Sequence, residues 1–332
     1  MPANLTPEYR KAEQAFREAK TDDEKTACLE RMLAVIPKHK GTDHLQGDLR
    51  RRLAKLREMP TTKAGTRRAD PFHVEPGGGG QAVLMGLPNC GKSSIVGALT
   101  KARVNITDYP FGTHGPVPGM AHHEDVPIQL VDMPPIAPEA LPSGMIGAYR
   151  NADIVLLVVD LAAADALEQL EACLGLLDDR AIRPVSHHTP RQERDEDGLQ
   201  FKTTLIVGAK HDLPGADDTL DALRELYEGQ LPILPLSATT GENLDELMAT
   251  LFRLLEIIRV YAKVPGKPAD MEKPFVLPLD STVMDMARAV HRDFPDKLKF
   301  ACLWGSAKFD GQQVQRDFVL SDRDVVELHV TG

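Results

Sequence analysis

Residues 86–93 read Gly-Leu-Pro-Asn-Cys-Gly-Lys-Ser and fit the spacing G-x-x-x-x-G-K-S/T. Glycines let the backbone curl so that successive N–H groups point at an anion. A helix starting there adds the positive end of its dipole. Lys92 brings a charge that can reach β- and γ-phosphates, and Ser93 a hydroxyl suited to Mg²⁺. Gly86, Asn89, Cys90, Gly91, Lys92, Ser93 and Ser94 are therefore the phosphate-binding candidates. The apolar run Ala82 to Met85 ahead of the loop reads as a buried strand. Behind it, Ile95, Val96 and Leu99 share one helical face. Strand, loop and helix in that order are the context this motif needs, and they point to nucleotide phosphates as its ligand.

Three further stretches supply polar groups at the ends of expected strands. Val126 to Val131 alternates as a strand and delivers Asp132, placed to orient a bound Mg²⁺. Thr204 to Val207 opens on Ala209-Lys210-His211-Asp212, and Ile233 to Leu236 opens on Ser237-Ala238-Thr239. Lys-x-Asp followed by Ser-Ala is a way to read guanine. Asp212 accepts from N1–H and the N2 amino group, where adenine would offer an acceptor. The Lys210 stem covers the base, and the backbone N–H of Ala238 reaches O6. The loop from Asn105 to Gly119 is too rich in Gly and Pro, and too long, to be a plain connector. In a nucleotide switch its Thr113 completes the Mg²⁺ shell. His122 and His123, adjacent on the chain, would point to opposite faces of a strand and make a poor metal site. A hairpin turn over 119–127 is the better reading.

The elements that must hold these loops alternate strand and helix, which describes a doubly wound α/β sheet. Asp153 to Asp160 is a buried parallel-type strand, Ala163 to Leu177 a helix, 183–200 a solvent-exposed excursion, and Glu242 to Tyr261 a closing helix. Ahead of the sheet, residues 1–60 read as a helical region. Thr21 to Glu24 is a capping box before the stripe Leu29, Met32, Leu33 and Ile36, and Pro37 ends that helix. A second stripe, Leu45, Leu49, Leu53 and Leu56, leaves Arg50, Arg51, Lys55 and Arg57 mostly on other faces, so the pair reads as a hairpin. Residues 61–80 end in four glycines and read as a linker. The expected bounds are 1–60, 61–80, 81–262 for the sheet domain, 263–273 for a second linker and 274–332 for a small mixed domain.

Composition narrows the class. Of 332 residues, 42% are hydrophobic and 27% charged, as in a water-soluble chain. The best apolar run, Ile154 to Val159, stops at Asp160, far short of a membrane span. The mixed N-terminus does not read as a signal peptide, and four scattered cysteines fit a reduced cytoplasm. Net charge is −10, yet residues 36–70 hold ten Lys/Arg against four Asp/Glu, +6, which leaves −16 elsewhere. That basic segment reads either as a docking surface for a polyanion or as a solvated helix face.

The chain resembles the Obg-type translation-factor GTPases, and most closely their DRG (developmentally regulated GTP-binding protein) branch. Gly86-Leu-Pro-Asn-Cys-Gly-Lys-Ser93, Asp108-Tyr-Pro-Phe-Gly-Thr113, Gln129-Leu-Val-Asp-Met-Pro134 and the C-terminal domain carry the likeness. In that domain, Asp293-Phe294, Trp304-Gly305-Ser306 and Asp322-Arg-Asp-Val-Val326 resemble a TGS domain, a ubiquitin-like β-grasp module. The resemblance implies a P-loop GTPase with GTP or GDP and Mg²⁺ as cofactors. In the family the TGS domain is taken to help docking to RNA or a protein, and with the basic N-terminal helices it leads to the expectation of a ribosomal or structured-RNA partner. Asn89 matches an asparagine that in potassium-activated relatives helps hold K⁺ beside the phosphates, though it also suits a turn. Transition-state support would then come from Lys92, Thr113 and Asn89.

Three departures bear on activity. The family's Asp-x-Pro-Gly ends here in Pro135, which has no N–H to offer a γ-phosphate. Ala209 replaces the asparagine of Asn-Lys-x-Asp. The domain that DRG proteins carry inside the GTPase module has no room between Ile136 and Ala152. Ile136 also stands where many GTPases place a water-orienting glutamine; the family, too, has a hydrophobic residue there. The first expectation is a slow Mg²⁺-dependent GTPase acting on ribosome or RNA. The alternative is a GTP/GDP-binding adaptor with little or no hydrolysis. A nucleotide kinase or ATPase is disfavoured by Asp212 with Ser237-Ala238.

Overall fold

The computed structural model describes residues 71–100, 115–136, 143–189, 195, 198–227 and 229–331, with scattered positions between 11 and 49. The chain divides into two compact units, 1–69 and 70–332. In the first, Leu29, Met32, Ile36 and Leu49 are buried together, with Phe16, Leu33 and Val35 packed against them. The helical stripe read over Leu29 to Ile36 thus forms a core face. The capping box at 21–24 and the cations at 50, 51, 55 and 57 lie outside the described residues.

The second unit is built on two sheets. The larger contains β1 (Gln81–Met85), β2 (Val117–His123), β3 (Val126–Asp132), β4 (Ile154–Asp160), β5 (Ile182–Val185), β6 (Gln200–Ala209) and β7 (Ile233–Pro235). Its order is β2-β3-β1-β4-β6-β5, with β7 also on β6, and only β2 runs antiparallel. Strand side chains alternate between faces, so β1 splits its burial. Val83 and Met85 pack with helices α2 (Ser143–Asn151), α3 (Ala166–Asp178) and α4 (Ala216–Tyr227). Ala82 and Leu84 face α1 (Lys92–Leu99) and α5 (Leu244–Leu254). From β1 the strand order leaves in both directions, to β3 and to β4. That is the topological switch point of an open α/β sheet, where ligands bind beyond the carboxyl ends.

The smaller sheet has the order β11-β10-β12-β8-β9. It comprises β8 (Ile257–Lys263), β9 (Phe275–Pro278), β10 (Leu298–Trp304), β11 (Gln312–Val314) and β12 (Asp324–Val330), with α6 (Val283–Val290) and a short α7 (Phe294–Lys297). One face buries Ile258, Val260, Leu303 and Val326 against Val283, Met286 and Ala287 of α6. A capping box of Thr282 with Asp285 starts that helix. Terminal strands β8 and β12 pair in parallel at the centre, as in a β-grasp.

Several boundaries differ from the sequence reading. The closing helix ends at Leu254, and Ile257–Lys263 is a central strand of the small sheet, so neither a helix to 261 nor a linker over 263–273 separates the domains. Glu256, at φ 46°, makes the break. The 183–200 excursion contains β5, paired with the start of β6. The hairpin read over 119–127 has its strand running to His123 and only Glu124 and Asp125 as its turn. The glycine run is not a free linker either. Gly78 bridges Ile128, Gly79 N–H donates to Pro127 O at 2.7 Å, and Gly80 O accepts from Gln129 N–H at 2.9 Å. A Cβ on Gly79 would stand 3.0 Å from both Ile257 Cδ1 and Val276 Cγ1, so the run is pressed between the two sheets.

Candidate functional site

Every site residue among the described positions comes from a loop or strand end at one edge of the large sheet. The loop from Gly86 to Gly91 is tightly constrained. A Cβ at Gly86 would lie 2.5 Å from Val158 O and 2.7 Å from Cys90 Sγ, which excludes any side chain there. Asn89 (φ 61°) and Gly91 (φ 106°) take left-handed backbone, and α1 then begins with no acidic residue in its first turn. Ser94 sits in that turn. The N-terminal N–H groups of the helix are thus open to an anion. Lys92 is only 5% exposed, and its ammonium donates to Gly86 O at 2.9 Å and Leu87 O at 2.8 Å. These carbonyls hold the charge over the loop without neutralising it, which leaves it for a phosphate.

Ser93 follows, with its hydroxyl donating to Asp132 Oδ2 at 2.6 Å from the end of β3. Asp132 is 1% exposed, and its Oδ1 is buried with no hydrogen-bond partner. Burial pushes its carboxyl above the usual range, against the Ser93 hydrogen bond and the Lys92 charge. A hydroxyl beside a carboxylate with one bare oxygen is the hard-oxygen donor set that suits Mg²⁺ and its waters. The residues present fit that ion. Thr113, the other expected ligand, lies outside the described residues.

Beyond Asp132 the backbone turns away from the loop's ligand side. Pro135 offers no N–H, and the Ile136 N–H is donated to Gly86 O at 3.2 Å. The Ile136 side chain is fully buried in the core with Met133 and Met145. Neither Pro134 nor Pro135 has an N–H, and the N–H and side chain of Ile136 are both engaged, so none of these three is placed to align a water.

The two loops expected to read the base leave β6 and β7 side by side. Lys210, at φ 60°, stretches its ammonium to Asp160 Oδ2 at 2.6 Å, beside which Ala209 pairs in the sheet. Asp160 is a site residue the sequence reading passed over. Its signal was the strand-end position it shares with the other motifs. Asp212 is exposed, with its carboxylate open to a base. Ser237 is fully buried and its Oγ accepts the N–H groups of Thr239 (3.2 Å) and Thr240 (3.1 Å), shaping the loop that presents Ala238. Ala209 brings only a methyl group toward Gly91, where a Gly91 Cβ would be 3.3 Å away.

Comparison with known proteins agrees with this geometry. Residues 81–186 match the model of the 50S ribosome-binding GTPase family, and residues 258–330 match the TGS domain. An uncharacterized GTP-binding protein of Methanocaldococcus jannaschii is 28% identical, the match covering 92% of each chain. Developmentally-regulated G-protein 2 of Arabidopsis thaliana is also 28% identical, over 90% of this chain and 89% of its own. In fold, a GTP binding protein from Pyrococcus horikoshii OT3 superposes with a TM-score of 0.50 at 16% identity, covering 76% of this chain and all of that one. The chain carries a phosphate-loop GTPase domain followed by a TGS domain, and along about nine-tenths of its length it is similar to GTP-binding proteins of the developmentally regulated type.

Proposed function

We propose that this chain is a Mg²⁺-dependent GTPase that turns over slowly on its own and acts on a ribosomal or structured-RNA partner. The observation that carries the slow rate is the pair Pro135 and Ile136, one without an N–H and the other with its side chain in the core. Neither can orient the attacking water. What remains is positioning and charge: Lys92 on the β- and γ-phosphates, the α1 N-terminus, and Ser93 with Asp132 holding the ion. Bound Mg²⁺ would neutralise phosphate charge at Ser93 and Asp132. A partner that supplies the missing group, or K⁺ held beside Asn89, would complete the site. Asn89 is exposed, so its amide is available to a cation.

The ribosomal reading is supported by the description of the family that residues 81–186 match and by the basic segment over 36–70. Single-turnover hydrolysis of GTP, with and without ribosomes and in K⁺ or Na⁺, tests the proposal. Slow turnover that rises with ribosomes is the expected result. Guanine-nucleotide binding with no turnover under any of these conditions would favour the adaptor, a reading that Pro135 also motivates.

A further inference from the structure

We infer that His211 is a positioning residue for guanine recognition, its imidazolium tying the Lys210–Asp212 loop to the Ser237–Glu242 loop and to the start of α4. The inference rests on the reading of these two loops as the base site. Ala209 leaves a gap there, because it has no polar side chain to reach the neighbouring loops. His211, two residues on, spans them instead. Its Nδ1 lies 2.9 Å from Glu242 Oε1 and its Nε2 lies 3.0 Å from Asp217 Oδ1, and the side chain is only 18% exposed. Ionised carboxylates only accept hydrogen bonds, so a ring bonded to one at each nitrogen must carry both protons.

Each contact fixes a different part of the site. Glu242 closes the second loop, for its carbonyl accepts the Ser237 N–H at 3.1 Å, next to the Ala238 N–H expected at guanine O6. Asp217 belongs to the first turn of α4. The His211 N–H itself donates to Leu236 O at 3.1 Å, the residue before Ser237. On one side of His211, Lys210 is held by Asp160, and on the other Asp212 carries the carboxylate that would read the base. A ring held at both nitrogens therefore sets the distance between Asp212 and Ala238, the two groups that must meet one purine edge together.

The charged groups facing the ring are Glu242 from the loop after β7 and Asp217 from α4. Lys210 turns away to Asp160, and Asp212 points to solvent. Burial alone would lower the His211 pKa, but the hydrogen bonds to Glu242 and Asp217 outweigh it and raise it above the ordinary value. A raised folded-state pKa means that the tie is complete below the ordinary histidine value and is lost as pH rises through the raised one.

The test uses the full chain with Mg²⁺ and GDP. Affinity of the wild type should weaken about three- to fivefold between pH 6 and pH 9, the scale of a partly exposed charged contact. His211→Gln should bind weakly throughout, with a flat profile over that range. His211→Arg, a fixed cation with several donors, should keep most of the affinity and also be flat. A wild-type profile matching that of His211→Gln would overturn the inference. Hydrogen exchange of 237–242 without nucleotide, corrected for intrinsic pH dependence, gives a second readout. It should accelerate at high pH in the wild type and not in His211→Arg, and unchanged protection overturns the tie. Exchange that follows the ring in a protein with no preference for guanine would keep the tie and sink the base-site reading instead.

Discussion

Arg259, on the first strand of the TGS sheet, donates to Asp125 Oδ1 at 2.8 Å in the turn of the β2–β3 hairpin. The arginine is 3% exposed and also binds Glu124 and, in a forked contact at 3.0 and 3.2 Å, Asp322. Its guanidinium lies 5.1 Å over the Phe252 ring. Tyr261 adds a hydroxyl donated to Asp125 Oδ2 at 2.5 Å, and Arg323 donates to Glu124 at 2.6 and 2.9 Å. The same hairpin ends, along β3, at Asp132 beside Ser93. One strand thus meets the TGS domain at its start and the Ser93–Asp132 pair at its end.

Removing Arg259 should cost more than removing a surface cation. Arg259→Ala leaves Asp125 and Asp322 without their shared partner, and breaking such a pair is expected to destabilise by about 3 kcal/mol. Arg259→Lys should recover only part, because an ammonium cannot fork to Asp322 and reach Asp125 as well. Urea unfolding of the full chain measures both. A loss below about 0.5 kcal/mol for Arg259→Ala would show that the cluster is solvated.

The cluster should also respond to acid. Burial would raise the Asp125 pKa, yet the hydrogen bonds from Tyr261 and Arg259 outweigh it and hold the carboxyl below its usual value. Glu124 is lowered too, by Arg323 first and Arg259 next. A lowered folded-state pKa contributes stability that is present above the unfolded value and lost as pH falls through the folded one. The loss should therefore begin below about pH 4. Asp125→Asn should flatten the acid limb of a stability-against-pH curve while leaving its neutral limb parallel to wild type.

What the sequence could say about the fold depended on how local each cause was. The phosphate loop was legible because its strand, glycines and helix are contiguous, and Asp132 because strand alternation points to its end. The start of the TGS domain was not. Ile257, Ile258, Val260 and Tyr261 continue the apolar spacing of Leu247, Leu251 and Leu254, and the break falls on Glu256 in left-handed backbone rather than on a glycine. Pro184 masked β5. The partners of Arg259 and His211 are brought together by the fold and leave no local pattern.

The glycine run shows how composition alone misleads. Gly78 has φ 71°, and a Cβ there would stand 2.4 Å from Pro127 O, whereas a Cβ on Gly77 meets side chains at ordinary contact distance, Met120 Cε at 3.5 Å and Gln129 Nε2 at 3.7 Å. Gly78→Ala should therefore cost about 2 kcal/mol, from left-handed strain and the displaced edge of β3. Gly77→Ala should stay within about 0.5 kcal/mol. Equal midpoints for the two variants in chemical unfolding would return the run to the status of a linker.

Guanine selectivity should rest on Asp212. Its carboxylate can accept from both N1–H and the N2 amino group, and an amide in its place turns one acceptor into a donor. Asp212→Asn then sets an NH₂ group against a base donor, leaving guanine groups unpaired at a cost of about 2–3 kcal/mol. GDP affinity should fall by one to two orders of magnitude. The same amide suits xanthine, which presents a 2-oxo acceptor where guanine has its amino group, so XDP should gain on GDP in the variant. Lys92→Ala offers the contrasting case. It removes the ammonium from the phosphates and should weaken GDP and ADP alike without changing their ratio. Competition titrations with GDP, XDP and ADP on the wild type and both variants separate base from phosphate recognition. If wild-type protein bound ADP as well as GDP, or Asp212→Asn left that ratio unchanged, the loops after β6 and β7 would not be the base site.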